Sequence, residues 1–207
     1  KEFINTNING VFNLLQSINL YLNNKKIDKD FKFIQISTDE VYGSLLREDS
    51  SFIETSRYAP NSPYAASKAS ADMLARAWHK TFNLPVIITN CSNNYGPYQF
   101  PEKFIPLILF NALNNISIPI YGNGLQIRDW LYVKDHCLAI MRILDHGKIG
   151  ETYNIGGKCE ITNLDLVNKI CEILDKKIPC KHHASYKNLI SFVKDRPGHD
   201  IRYSINS

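Results

Sequence analysis

The chain has 207 residues, enough for one large domain or one and a half, and its 44% apolar content can fill a packed core. No run of about eighteen apolar residues occurs, which excludes a membrane-spanning helix, and no secretory signal pattern opens the chain. Five cysteines, scattered and never spaced C-x-x-C, argue against a disulfide framework or a zinc site and for a reducing cytoplasm. A net charge of +4 without basic runs interleaved with aromatics suits a pocket for an anionic small molecule rather than a nucleic-acid surface.

The chain opens on KEFINTN, without an initiator Met, and stops at 201-IRYSINS-207 without a tail signal, so it reads as a segment of a longer protein. Ile4, Ile8, Val11, Leu15, Ile18 and Leu22 recur at helical spacing and predict an amphipathic helix over 2–22. A polar connection at 23–30 leads to an apolar run, Phe31 to Ile36, expected to be a buried strand. After a polar loop over 44–61, Ser62 as N-cap and Pro63 at the first helical position open a helix over 62–82. Pro85 to Asn90 is a second buried strand. Two nearly continuous apolar strands flanked by helices indicate a parallel α/β sheet.

Further on, residues 103–114 read as a helix, 118-IPIYGNG-124 as a short strand and turn, and 133–146 as a helix closed by Gly147. After 152-TYNIGG-157, Thr162 and Asp165 form a capping-box variant ahead of Leu164, Val167, Ile170 and Leu174 on one helix face. We expect a sheet-based part over 1–98 and a smaller α/β part over 99–207, with crossings between them.

Ligands of open α/β sheets bind outside the carboxyl ends of the strands, and both strand ends here are polar: Ser37-Thr38-Asp39-Glu40 and Cys91-Ser92-Asn93-Asn94. Between them lies Tyr64-Ala-Ala-Ser-Lys68. Residues four apart share a helix face, so the Tyr64 hydroxyl and Lys68 ammonium can meet one ligand, and the cation should lower the tyrosine pKa towards that of a general base. Each element has a plainer reading. A Tyr and Lys four apart are ordinarily a solvated pair, Thr-Asp-Glu after a strand an N-cap, and Asn93-Asn94 turn chemistry. Their order at consecutive strand ends is what speaks for a site.

The ordered set STDEVYG, SPYAASKAS, NCSNNYGPYQFPEK, IPIYGNG, QIRDWLYVKDH, ETYNIGG and DRPGHD closely resembles the dTDP-glucose 4,6-dehydratase family of extended short-chain dehydrogenase/reductases, over nearly the whole chain. The resemblance implies a Rossmann-like sheet holding NAD and a smaller C-terminal α/β domain holding a nucleotide-diphosphate sugar. The Gly-rich turn that cradles a dinucleotide pyrophosphate is not in this sequence, which implies roughly 80–100 further residues before Lys1.

On the same resemblance, Tyr64 takes the C4 hydroxyl proton of a hexose while NAD takes the hydride, and Lys68 lowers the Tyr64 pKa and bonds the nicotinamide ribose. Thr38 bonds the C4 oxygen, Glu40 removes the C5 proton, and Asp39 protonates the departing C6 hydroxyl. Two adjacent carboxylates suit this only if their pKa values are pushed apart, with Asp39 protonated and Glu40 ionised. Ser37 and Asn94 are implied as further cofactor contacts. Asn93, Lys103, Phe104, Pro119, Ile120, Tyr121, Arg128, Asn163, Asp195, Arg196, Pro197, Gly198, His199 and Tyr203 are implied as substrate contacts. Arg128 and Arg196 suit bidentate grips on a diphosphate, although Arg128-Asp129 also reads as a local ion pair and Asn163 as a helix cap. A homodimer through the helices near 2–22 and 62–82, a cytoplasmic location, and the absence of metal, nucleic-acid or membrane partners complete the expectations. The sibling readings are a nucleotide-sugar epimerase or decarboxylase, which lacks the Asp-Glu pair, and a non-catalytic NAD-binding regulator, which typically loses the tyrosine or lysine.

Overall fold

The computed structural model describes residues 1–24 and 31–207, so the expected polar connection lies, from residue 25 on, outside the described residues. The first helix is α1 (Gly10–Asn24), but Ile4–Asn9 ahead of it winds as a π-helix, a departure from the expected uniform α-helix. Its sequence INTNIN is poor in strong helix formers, and Asn7 donates 2.9 Å to the Ser67 hydroxyl of the neighbouring helix.

Three parallel strands form the main sheet: β1 (Phe33–Thr38), β2 (Val86–Cys91) and, after β3 (Asn93–Tyr95), β4 (Ile118–Tyr121) and β5 (Ile127–Tyr132), the strand β6 (Thr152–Ile155). Their order is β1-β2-β6, with Phe33 paired to Val86 and Thr38 to Cys91. Helix α2 (Pro63–Phe82) joins α1 on one face, where Leu15, Ala75, Val86 and Ile88 pack together. Helices α3 (Phe104–Leu113) and α4 (Val133–His146) follow, and α4 covers the other face through Ile143 against Ile87 and Ile155. Successive β2 residues thus serve opposite faces, which is why VIITN is apolar or buried throughout and shows no alternation. This is the Rossmann-like arrangement.

Strand β1 starts two residues later than expected and carries Thr38 within its ladder. Its burial also differs, since Ile36 is 46% exposed. Ile36 shares a face with Ile34, but only Ile34 reaches the α4 cluster. β6 returns to the main sheet from the second half of the chain.

The remaining strands form two smaller sheets. β3, β5 and β7 (Glu160–Thr162) form one small sheet, and β4 pairs in parallel with β8 (Ile190–Val193). Helix α5 (Asn163–Lys177) packs Val167, Ile170, Cys171 and Leu174 against Ile108, Ile118 and Ile120. The last residues thread back: Leu45 and Phe52 bond to Arg202 and Ser204, and Ile127 bonds to Ile201. All five cysteines are unpaired, and no described helix is long and apolar enough to cross a membrane.

Candidate active site

Thr38 leaves β1 with extended backbone angles, and its hydroxyl accepts the Glu40 amide at 3.3 Å, capping a short 3-10 turn at Asp39–Tyr42. The cap reading and the chemical reading therefore coexist: the cap aims Asp39 and Glu40 out of the strand end. Gly43 closes the turn at φ +94°, where a Cβ would stand 2.5 Å from the Ala59 carbonyl oxygen, so a side chain there would displace the loop that leads into α2.

Asp39 is 2% exposed. Burial, reinforced by the charge of Glu40, pushes its carboxyl up to about 8, so it is protonated at neutral pH. Glu40 is also raised, chiefly by burial, but Arg128, Arg196 and Lys103 pull it back towards the ionised form. The two adjacent carboxyls thus occupy unlike electrostatic settings.

Ser62 caps α2 by accepting the Ala65 amide at 3.0 Å, which places Tyr64 in the first helical turn. A helix N-terminus favours negative charge. The expected lowering of the tyrosine pKa is nevertheless overturned: burial pushes Tyr64 up to about 12, with Glu40 and Asp39 adding to the rise. Lys68 instead donates 2.7 Å to the Ile36 carbonyl oxygen. Ser37, implied as a cofactor contact, donates its hydroxyl at 2.5 Å to the buried Asp72 of α2 and is itself 4% exposed.

A cavity of about 180 Å³ opens beside these groups, lined by Asn93, Phe104, Ile120, Tyr121, Arg128, Trp130, Asn163, Arg196 and His199. Five elements and one loop converge there. All but Trp130 are residues the sequence singles out. Trp130 escaped that reading, although its signal was available: on a strand, i and i+2 share a face, so a residue two after Arg128 must look the same way.

Arg128 is 5% exposed, held by the carbonyls of Ile127 at 2.7 Å and Asp200 at 3.0 Å, and its guanidinium lies 4.3 Å from the Tyr203 ring centroid. Asp129 points to the opposite face and accepts the Gly157 and Cys159 amides at 2.8 and 2.6 Å. The local ion pair is therefore not formed. Asn163 is no cap either, because Thr162 caps α5 by accepting the Asp165 amide at 3.1 Å and frees the Asn163 side chain for the cavity.

Asp195 and Tyr203 support the cavity from behind. Asp195 holds the His199 ring at 2.6 Å and accepts the Arg196 amide at 2.8 Å and Gln126 at 3.1 Å, while Tyr203 donates to Asp200. Lys103 sits exposed at the start of α3, Pro119 pairs with Ser191 on β4 without lining the cavity, and Pro197 and Gly198 are exposed on the 195–199 loop.

Asn94 donates to the Ser92 carbonyl at 3.0 Å. Yet Asp39 Oδ2, Ser92 Oγ, Asn93 Oδ1, Asn94 Oδ1 and Trp130 Nε1 are buried without a hydrogen-bond partner. Buried polar atoms normally have partners. Two of them, on Asn93 and Trp130, belong to residues that line the cavity and fit a polar ligand there, and the other three lie beside the ends of β1 and β2.

Three comparisons bear on this arrangement. The family model described as GDP-mannose 4,6 dehydratase matches residues 1–207. A dTDP-glucose 4,6-dehydratase of Neisseria meningitidis serogroup B is 53% identical over 100% of this chain and 59% of that protein. Among solved structures, the chain is similar to dTDP-glucose 4,6-dehydratase from Bacillus anthracis in complex with NAD, at 49% identity and TM-score 0.83, covering 98% of this chain and 59% of that one. It is similar also to the Streptomyces venezuelae enzyme with NAD bound, at 42% identity and TM-score 0.87, covering 100% and 59%. The chain thus spans 59% of the length of these relatives.

Proposed function

The chain belongs to the GDP-mannose 4,6-dehydratase family, and on that premise we propose that the protein carrying it is a dTDP-glucose 4,6-dehydratase, a hydro-lyase that uses NAD and yields the 4-keto-6-deoxy sugar. The observation that carries the reading is the unlike setting of two adjacent carboxyls. Burial holds Asp39 protonated, up to about 8, whereas Glu40, also raised chiefly by burial, is pulled back towards the ionised form by Arg128, Arg196 and Lys103. One acid and one base side by side are what removal of water across a C–C bond requires. An epimerase needs neither.

Bound NAD would supply hydride acceptance and return at the sugar. Tyr64, Lys68 and Asn94 are the residues of this chain that would hold its reactive end, and the orphaned Asn94 and Ser92 oxygens fit such a neighbour. Tyr64, in the first turn of α2, takes the C4 hydroxyl proton, and Lys68, four residues on along the helix, would bond the nicotinamide ribose. Thr38 bonds the C4 oxygen. Glu40 removes the C5 proton once the adjacent carbon is a ketone, and Asp39 gives its proton to the leaving C6 hydroxyl. Arg128 and Arg196 grip the diphosphate, and Phe104, Tyr121 and Trp130 wall the nucleotide side of the cavity.

The reading includes a division near residue 98 between a cofactor part and a substrate part, a cytoplasmic location, and a homodimer through α1 and α2. Exposed Leu14 (55%), Leu20 (56%) and Met73 (51%) on those helices support the dimer.

The test is NMR of dTDP-glucose with the full-length protein in D₂O, following the C5 signal and the 6-deoxy product. Glu40→Gln should stop C5 exchange and lower product formation about 10²–10⁴-fold, the usual share of a general base. Wild-type deuterium incorporation at C5 in that variant would remove Glu40 as the base.

A further inference from the structure

Asp200 lies outside the chemistry described so far, yet it is 8% exposed and touches three separate parts of the molecule. Its Oδ1 accepts the Asn61 amide group at 2.7 Å, and its Oδ2 accepts the Tyr203 hydroxyl. Its main-chain oxygen accepts Arg128 at 3.0 Å. Asn61 immediately precedes Ser62, the cap of α2, and Tyr64 stands two residues beyond that cap. Tyr203 lies with its ring under the Arg128 guanidinium.

We propose that Asp200 is a positioning residue that couples the diphosphate grip of Arg128 to the placement of Tyr64 at the head of α2. A buried carboxylate whose two oxygens are each claimed by a different element holds those elements in fixed relation, because releasing either partner leaves a charged oxygen unsatisfied. Displacing Asn61 therefore loosens Arg128 through Tyr203 and the Asp200 carbonyl, and releasing Tyr203 loosens the first turn of α2. Ligand gripped by Arg128 is thereby oriented against Tyr64, where small misplacements are costly to rate. The coupling rests on the proposed function only for the identity of the ligand.

Two arms test it in the full-length protein. In the first, hydrogen exchange is measured at the Ala65 and Ala66 amides without any ligand. Tyr203→Phe keeps the ring under Arg128 and removes only the hydroxyl on Asp200, and it should speed exchange there about 5-fold through local opening. In the second, dTDP affinity is read by calorimetry. Asn61→Asp sets a carboxylate against Asp200 and should weaken dTDP about 10-fold, the scale of a charged hydrogen bond lost. The Asn61→Asp/Asp200→Asn double variant restores the bond with its polarity reversed and leaves the Tyr203 hydroxyl a neutral amide oxygen to donate to, so it should recover most of the affinity that Asn61→Asp loses.

Unchanged exchange at Ala65 and Ala66 in Tyr203→Phe overturns the coupling, as does failure of the double variant to recover affinity. If the unmodified protein binds no dTDP, the ligand assignment fails while the exchange arm still decides the coupling.

Discussion

The end of β1 and the grip around Arg128 are both buried and polar, but they are built in opposite ways. Around Arg128, the side chains of Asp200, Tyr203 and Asp195 are paired to one another and to main chain, with orphaned atoms on neighbouring Trp130 and Gln126. At the strand end, Asp39, Asn93, Asn94 and Ser92 each keep an orphaned oxygen. The paired region is assembled before any ligand arrives, which suits an anchor. The unpaired region is held out of hydrogen bonding at a cost to stability, which suits groups whose partners are the reacting atoms themselves.

The comparison breaks most visibly through Tyr64. Tyr64→Phe in the full-length protein should suppress NADH formation from dTDP-glucose about 10³-fold, since Ser62, the other hydroxyl at the head of α2, is engaged as the helix cap. Stopped-flow absorbance reads it, and NADH appearing at the wild-type rate would move the reactive role elsewhere. The paired region should respond in affinity instead. Arg128→Lys loses the planar fork that uses two carbonyls and a tyrosine face at once, so dTDP binding by calorimetry should weaken about 30–100-fold. Unchanged affinity would show that Arg128 only braces the fold.

The smallest effect concerns stability. Asp39 sits near 3.8 when unfolded and about 8 when folded. The folded state thus binds the extra proton between those values, and stability falls as pH rises through that window. Asp39→Asn removes this loss. The variant should match the parent below about pH 4 and exceed it by a margin that grows as pH rises towards 8, measured as denaturant midpoints across pH. Parallel curves at all pH values would show that Asp39 is not held protonated by the fold.

Much of the sheet-based half was legible because its signals are local. Ser62 and Pro63 announce α2, the apolar run before Asn90 announces β2, and the carboxylates of Asp39 and Glu40 stand where the adjacent apolar run stops. Helical spacing and capping act within a few residues, so sequence alone carries them. Only the tertiary structure decided the rest. It set Arg128 and Asp129 on opposite faces and added Trp130 to the cavity wall. It also raised Tyr64 where a local pair implied lowering, because burial and the charges of Glu40 and Asp39 outweigh a lysine whose ammonium bonds the Ile36 carbonyl. Asn61 and Asp200 meet across 139 residues of chain, a contact that no periodicity encodes. What the sequence determined was which chemistry is carried and on which elements. Which groups face one another, and whether each is charged, was decided by the burial and long-range pairing that the fold imposes.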